Sequence, residues 1–317
     1  MRRRSFLVTG GCGLAAPVLG AAAADAPQAT DAIDAHTHFY RTPWPDSMPP
    51  QRREAAFARP CLPADLIPVA RAAGITGTVV VESSPDLDDN QWLLDLAARE
   101  PFIHGVVGRI DPAAADFEKH LARFAANRLF RGLRITHGEI EAGLAAGGSL
   151  VRRCQSLADR GLALDVLGGP RVIAAAARLA AEVPGLTIVI DHAGNLRIDG
   201  RPPPDDWREM MAAAARRPNV RCKVSALVEN TAANPAPREV AYYSPALDSL
   251  WEMFGADRLL FGSNWPIWTR KHAYADVCGV VRDYWATKGD AAAGKFFRDN
   301  TIATYGLVAP APNKPRG

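Results

Sequence analysis

A chain of 317 residues, 48% hydrophobic and 22% charged, has the composition of a globular protein and is long enough for one α/β barrel. Its formal net charge is +3, and no basic patch with interleaved aromatics accompanies it, so nucleic acid is excluded as an expected partner and a small molecule is favoured. Five cysteines without a CxxC spacing speak against a disulfide scaffold, a zinc ribbon or a redox pair.

Residues 1–26 read as an export leader, with a basic start, a weakly apolar middle and a small-residue end. Arg3, Arg4, Phe6 and Leu7 resemble a twin-arginine signal, so a periplasmic or otherwise exported protein is expected. The Gly and Ala content and Pro17 argue against a stable membrane span. Cleavage within the Ala21 to Ala24 cluster would remove Arg2, Arg3 and Arg4, taking the 37 basic residues to 34 against 34 acidic ones. Residues 27–317 are expected to form a single domain.

Eight apolar, β-branched runs follow: 32–38, 76–84, 104–111, 130–137, 161–168, 186–194, 220–227 and 259–266. Stretches such as "DDNQWLLDLAARE" and "DFEKHLARFAANR" separate most of them, with apolar residues recurring at three and four, the helical period. Strand and helix in alternation predict parallel pairing with crossover helices, and eight such units predict a (β/α)8 TIM barrel. Polar residues end the runs: His36 and His38, Glu82, Asp111, Arg134 and His137, Asp165, Asp191 and His192, Lys223 and Ser225, and Asn264. In a barrel those ends share one mouth, where the active sites of the fold lie. The Pro-rich 41–63 stretch after the first run and the 229–244 stretch after the seventh are candidate lids or substrate-selecting loops.

The first run, "IDAHTHFY", sets two imidazoles two residues apart. Regular alternation would put His36 and His38 on one face with Asp34, an arrangement suited to a divalent cation such as zinc. In "GLTIVIDHAGN" the adjacent Asp191 and His192 should face opposite ways, one serving the site and the other the scaffold. Arg134 offers a planar fork for a carboxylate, whereas Lys223 is a point charge able to steady an oxyanion or to neutralise Asp165 and Asp191. Trp44, Trp265, Trp268, Tyr242 and Tyr243 are candidates to wall a sugar-sized pocket.

Taken in order, "IDAHTHF", "FRGLRITH", "GLALDVL", "VIDHAGN", "PNVRCKVSAL" and "FGADRLLFGSNWPI" resemble the amidohydrolase-related TIM-barrel hydrolases, in particular the branch of sugar lactonases and pyrone dicarboxylate lactonase. The likeness runs over about 32–306. It implies a hydrolase that opens a small lactone or related cyclic ester by water attack, with His36, His38 and His192 as metal and catalytic residues. One divalent metal, zinc first, is implied by the wider family, while lactonases of this branch also work without one. Glu82, Arg134, His137, Asp165, Lys223 and Trp265 make up the expected substrate-binding set, and a homo-oligomer stays open. Asn264 stands where the resemblance calls for aspartate in an "FGSDWP" type motif; an amide has no basic lone pair at neutral pH, so the base must lie elsewhere or turnover is lost. Glu82, Asp165 and His192 are the replacement bases considered, and Asn264 could still orient water or an oxyanion. A nonoxidative decarboxylase of the same superfamily and a noncatalytic sugar-acid binder are the alternatives.

Overall fold

The structure, a computed structural model, describes residues 31–41, 59–145, 149–267 and 272–308. The expected leader, Trp44, Trp268 and most of the 41–63 stretch lie outside these residues. Each predicted run contains or overlaps a strand: β1 (Ala32–Thr37), β2 (Ile75–Val81), β3 (Ile103–Gly108), β4 (Phe130–Thr136), β5 (Ala163–Leu167), β6 (Ile188–Ile190), β7 (Val220–Val224) and β8 (Leu259–Phe261). They pair in parallel in chain order, with helices between them, as a (β/α)8 barrel requires.

Two apolar layers explain why the strands read as nearly unbroken hydrophobic runs. One set of residues, including Val80, Val106, Ile188, Val224 and Phe261, packs with the helices. The alternate set, Ile33, Ala35, Val79, Val81, Val107, Ala163, Val189 and Leu260, fills the barrel with Tyr305 and Leu307 from the C-terminal segment.

Residues just past β8 complete the ring. Asn264 N donates to His36 O at 2.8 Å, His38 N donates to Trp265 O at 2.8 Å, and Thr37 and Trp265 form a parallel bridge. Trp265 is therefore a buried seam residue packed on Phe39, with ring centroids 5.9 Å apart, and does not wall a substrate pocket. Tyr243 is likewise buried, in the helix Val240–Phe254, where its hydroxyl donates to Pro237 O at 2.7 Å.

β1 departs from regular alternation. The step from Asp34 to Thr37 runs beside the shorter step from Thr78 to Val80 on β2, which makes a bulge. The expected sharing of one face by Asp34 and the histidines fails for that reason. Asp34 accepts hydrogen bonds from Tyr274 Oη (2.7 Å), Ser263 N (2.8 Å) and His36 N (3.0 Å), while the His36 ring turns to Asp191 and Lys223. This fully buried carboxyl ties β1 to the segment after β8 and to the helix Tyr274–Ala286. Tyr274→Phe is expected to leave one carboxylate oxygen short of a donor and to cost about 1–3 kcal/mol. A lower urea midpoint with unchanged slope would show this, and an unchanged midpoint would mean that the backbone donors suffice.

Candidate active site

Beneath the barrel mouth lies a buried charge cluster. Lys223 Nζ, near the end of β7, stands 2.5 Å from Asp165 Oδ2, 3.2 Å from Asp191 Oδ1 and 3.3 Å from His36 Nδ1, and none of the four residues is exposed. Tyr305 Oη donates to Asp165 as well, at 2.9 and 3.0 Å. Three polar neighbours use the reach of the three ammonium protons, so Lys223 neutralises its carboxylates and is not presented to an oxyanion. Burial pushes the Asp165 carboxyl up to about 6, against the pull of Lys223. Burial would raise Asp191 also, but Lys223 and then His36 hold it well below the usual carboxylate range. The same burial, with Lys223 beside it, keeps His36 neutral.

A second pair sits at the mouth of β2 and β4. Arg134 donates to Glu82 through Nε at 2.8 Å and lies 2.7 Å from it through Nη2, which also reaches the Glu82 carbonyl at 2.8 Å. Arg109 Nη1 adds a second cation 3.6 Å from the same carboxylate. Glu82 is thus engaged by two guanidiniums, which makes it a poor acceptor for a third proton donor.

The mouth itself gathers His38, His192, Asn264 and Glu229. His38 Nδ1 lies 2.9 Å from Val81 O and 3.1 Å from Glu82 O; both are acceptors, so this nitrogen carries the ring proton. Burial first, and Arg134 second, push the His38 ring down to about 3, and the neutral ring turns an Nε2 lone pair toward Asn264 Oδ1 at 3.2 Å. Asn264 Nδ2 donates to Glu229 Oε1 at 2.7 Å. His192 Nδ1 pairs with Ser225 Oγ at 2.8 Å, and its ring stands 4.4 Å from that of His36. The turn that presents it, His192 to Asn195, is left-handed at all four residues, with φ between 50° and 65°. At Gly194 an added Cβ would stand 2.4 Å from Ile173 Cδ1, so both conformation and space call for glycine.

These side chains open on a cavity of about 190 Å³ lined by His38, Arg134, His192, Asn195, Glu229 and Asn264, among others. Of the residues expected at the site, His38, Arg134, His192 and Asn264 line it, whereas His36, Glu82, Asp165 and Lys223 support them from behind. His137 is not brought in: its side chain is 41% exposed at the start of the helix His137–Ala145 and pairs with Glu141 at 3.4 Å. Glu229, Asn195, Asn230, Arg109 and Tyr305 were not singled out by sequence reasoning. Glu229 carries a weak signal, a carboxylate five residues beyond the last β7 residue on the mouth side; Tyr305 carries none, because it comes from a helix after the last strand.

The three histidines form a contiguous set, with the His36 ring 5.0 Å from that of His38. Their buried neighbourhood includes orphaned polar atoms, among them His36 Nε2 and Asp191 Oδ2, which have no hydrogen-bond partner. Among the described residues, however, no three His, Cys, Asp or Glu side chains converge on a metal position. The nearby aspartates are engaged by Lys223, and an amide replaces the carboxylate at 264. The residues present do not fit the expected three-histidine zinc site.

The amidohydrolase family model matches residues 33–307, nearly the whole described chain. The chain belongs to the amidohydrolase family. This amidohydrolase is 36% identical over 238 residues to the L-fucono-1,5-lactonase of Burkholderia ambifaria, which covers 74% of this chain and 80% of the relative. Among solved structures it resembles an amidohydrolase of Burkholderia multivorans with bound HEPES, at a TM-score of 0.78 and 25% identity over 88% of this chain and 100% of that one. A second crystal form of the amidohydrolase from that organism, with bound zinc, superposes at a TM-score of 0.76 with 24% identity over the same shares. The family and the lactonase-like branch expected from the six motifs are both supported, and the chain is a hydrolase of that family.

Lys223→Met in this amidohydrolase is expected to strand two buried carboxylates and to cost about 3–5 kcal/mol at neutral pH. A carboxyl whose folded pKa is raised loses stability as pH rises between its unfolded and folded values, so acidification should recover part of the loss. Asp165 already sits at about 6 against an ordinary 3.8, and the variant's deficit should shrink as pH falls through that window. Urea titrations at several pH values would measure it; a pH-independent loss would assign the lysine's role to packing of its stem.

Proposed function

We infer that this amidohydrolase opens a small sugar lactone by attack of water on the ring carbonyl, releasing one hydroxy acid. The observation that carries this reading is the polar cavity at the mouth, walled by two imidazoles, an arginine and a carboxylate–amide pair. Likeness to the L-fucono-1,5-lactonase supports the substrate class. At about 190 Å³ the cavity lies below the usual range for drug-sized ligands and suits a single sugar ring.

Arg134 is the cation that faces this space. Its Nε and Nη2 are committed to Glu82, and Nη1 has no hydrogen-bond partner among the described residues, leaving one charged donor for the lactone carbonyl or a sugar hydroxyl. His192, oriented by Ser225, is placed to hydrogen-bond the sugar and to bound the cavity floor. The twin-arginine-like leader supports a reaction carried out after export, and the mass of the mature chain would test it through cleavage at the Ala21 to Ala24 cluster.

The purified protein is expected to release one equivalent of acid per molecule of L-fucono-1,5-lactone or a close sugar lactone, faster than spontaneous opening, by pH indicator. Carbon dioxide without acid would replace the reading with a decarboxylase. Tight calorimetric binding of unreacted lactone would replace it with a binding protein. Arg134→Lys keeps the charge and loses the fork, and is expected to lower kcat/KM by about 10–100-fold, the equivalent of one charge-assisted hydrogen bond. An unchanged kcat/KM would remove Arg134 from the substrate contacts.

A further inference from the structure

We propose that the base of the barrel, at the end opposite the mouth, holds a binding site for a small anion with a phosphate or carboxylate head and a short uncharged body. This site goes beyond the lactonase reading and does not depend on it.

A cavity of about 480 Å³ lies at the starts of β3 and β4, within the size range of small-molecule sites. Strand pairing slips there twice by one residue. Ile103 to Gly105 runs beside Thr78 to Val79, and Phe130 to Gly132 runs beside Val106 to Val107. His104 and Arg131 are the extra residues of these two bulges, and each lies over a glycine of the preceding strand. A Cβ at Gly105 would stand 2.6 Å from Arg131 Cγ, and one at Gly77 would collide with the His104 ring. Bulge and glycine together bring both side chains to the cavity wall.

Unbalanced charge carries the proposal. Arg128, just before β4, and Arg131 both line the cavity, and no aspartate or glutamate lines it. Neither arginine makes an ion pair among the described residues, and Arg131 Nε is buried without a hydrogen-bond partner. Burial first and the Arg128 charge second push the Arg131 guanidinium below its ordinary value, with no carboxylate to offset them. Other arginines at this end of the barrel are satisfied. Arg258 Nη1 donates to the carbonyls of Ala215 at 2.6 Å and Arg217 at 3.1 Å, and Arg221 Nη1 donates to Asp257 O at 3.0 Å. A half-buried guanidinium with an orphaned N–H beside a second cation carries desolvation and repulsion costs that a bound anion relieves.

The remaining wall defines the rest of the ligand. Asn127 turns Oδ1 to Leu129 N at 2.9 Å, which leaves its Nδ2 as a neutral donor beside the two cations. His104 Nε2 is a second buried polar atom without a hydrogen-bond partner. A planar guanidinium matches the paired oxygens of a phosphate or a carboxylate, so the head is an oxyanion. Pro101, Leu129 and Val308 supply an apolar wall on which a short uncharged body can pack. The cavity exceeds what an inorganic ion alone would fill, which favours an organic anion.

Calorimetric titration of the whole chain with inorganic phosphate, glycerol 3-phosphate and butyrate, at low ionic strength, tests the site. At least one of the three is expected to bind saturably at one site per chain, and the tighter of glycerol 3-phosphate and butyrate identifies the head. Arg131→Gln and Arg128→Gln are each expected to weaken that binding about 10–100-fold, the equivalent of one charge-assisted hydrogen bond. Arg128 is exposed, so its variant keeps the fold even if Arg131→Gln does not. Arg134→Lys, at the mouth, should bind the same probe as the wild type does. No saturable binding of any of the three to the wild type would overturn the proposal. So would binding that both base variants retain in full, or binding that Arg134→Lys loses while the base variants keep it, which would place the anion at the mouth. Each of these results leaves the lactonase reading where lactone opening itself puts it.

Discussion

A lysine with no solvent exposure, shared between two equally buried aspartates and a histidine, is the interaction on which the mouth of this barrel depends. Burying an ammonium and two carboxylates carries a desolvation cost that only close mutual contact offsets, so the four side chains have little freedom. They come from β1, β5, β7 and the residue after β6, and Tyr305 from the C-terminal helix adds a fifth anchor. Below this layer the barrel interior is aliphatic; above it lies the cavity. The charged layer thus separates packing from chemistry, and it sets the His36 ring against which His192 is placed.

A second constraint is the seam between β8 and β1. Asn264 reaches it with a φ of 60°, donates its backbone N–H to His36 O, and still delivers its side chain to His38 and Glu229. The β1 bulge on the other side of the seam turns Asp34 away from the site and leaves the two histidines in it. Among the described residues, every non-glycine residue with positive φ except Asp31 lies just past the end of β6, β7 or β8. Left-handed backbone costs about 1–2 kcal/mol for such residues, and its concentration at one end of the barrel fits a site whose geometry is held by the surrounding fold.

The eight strands were legible because each is buried on both faces and so reads as an apolar run that ends abruptly in a polar residue. The roles of those polar residues were less legible. His36, Asp165 and Lys223 end their runs much as His38 and Arg134 do, yet they satisfy one another beneath the cavity. His137 sits one residue past β4, where a helix begins at once and carries it to the surface. Trp265 and Tyr243 look like pocket walls by residue type, but the seam and a long helix bury them. Glu229 carried only a weak signal, its place five residues past β7, since a loop carboxylate is distinguished mainly by what it touches.

The order of apolar runs, the period of the helices between them and the polar residues at the run ends determined the barrel and the location of its mouth, because burial on both faces of a parallel strand leaves a direct mark on composition. Which polar residues face the cavity, which pair beneath it and which loop residue joins them was decided only by the tertiary structure. Register, the β1 bulge and the left-handed turns after β6 and β8 set side-chain direction, and charge pairing between strands distant in sequence sets which groups remain available for chemistry.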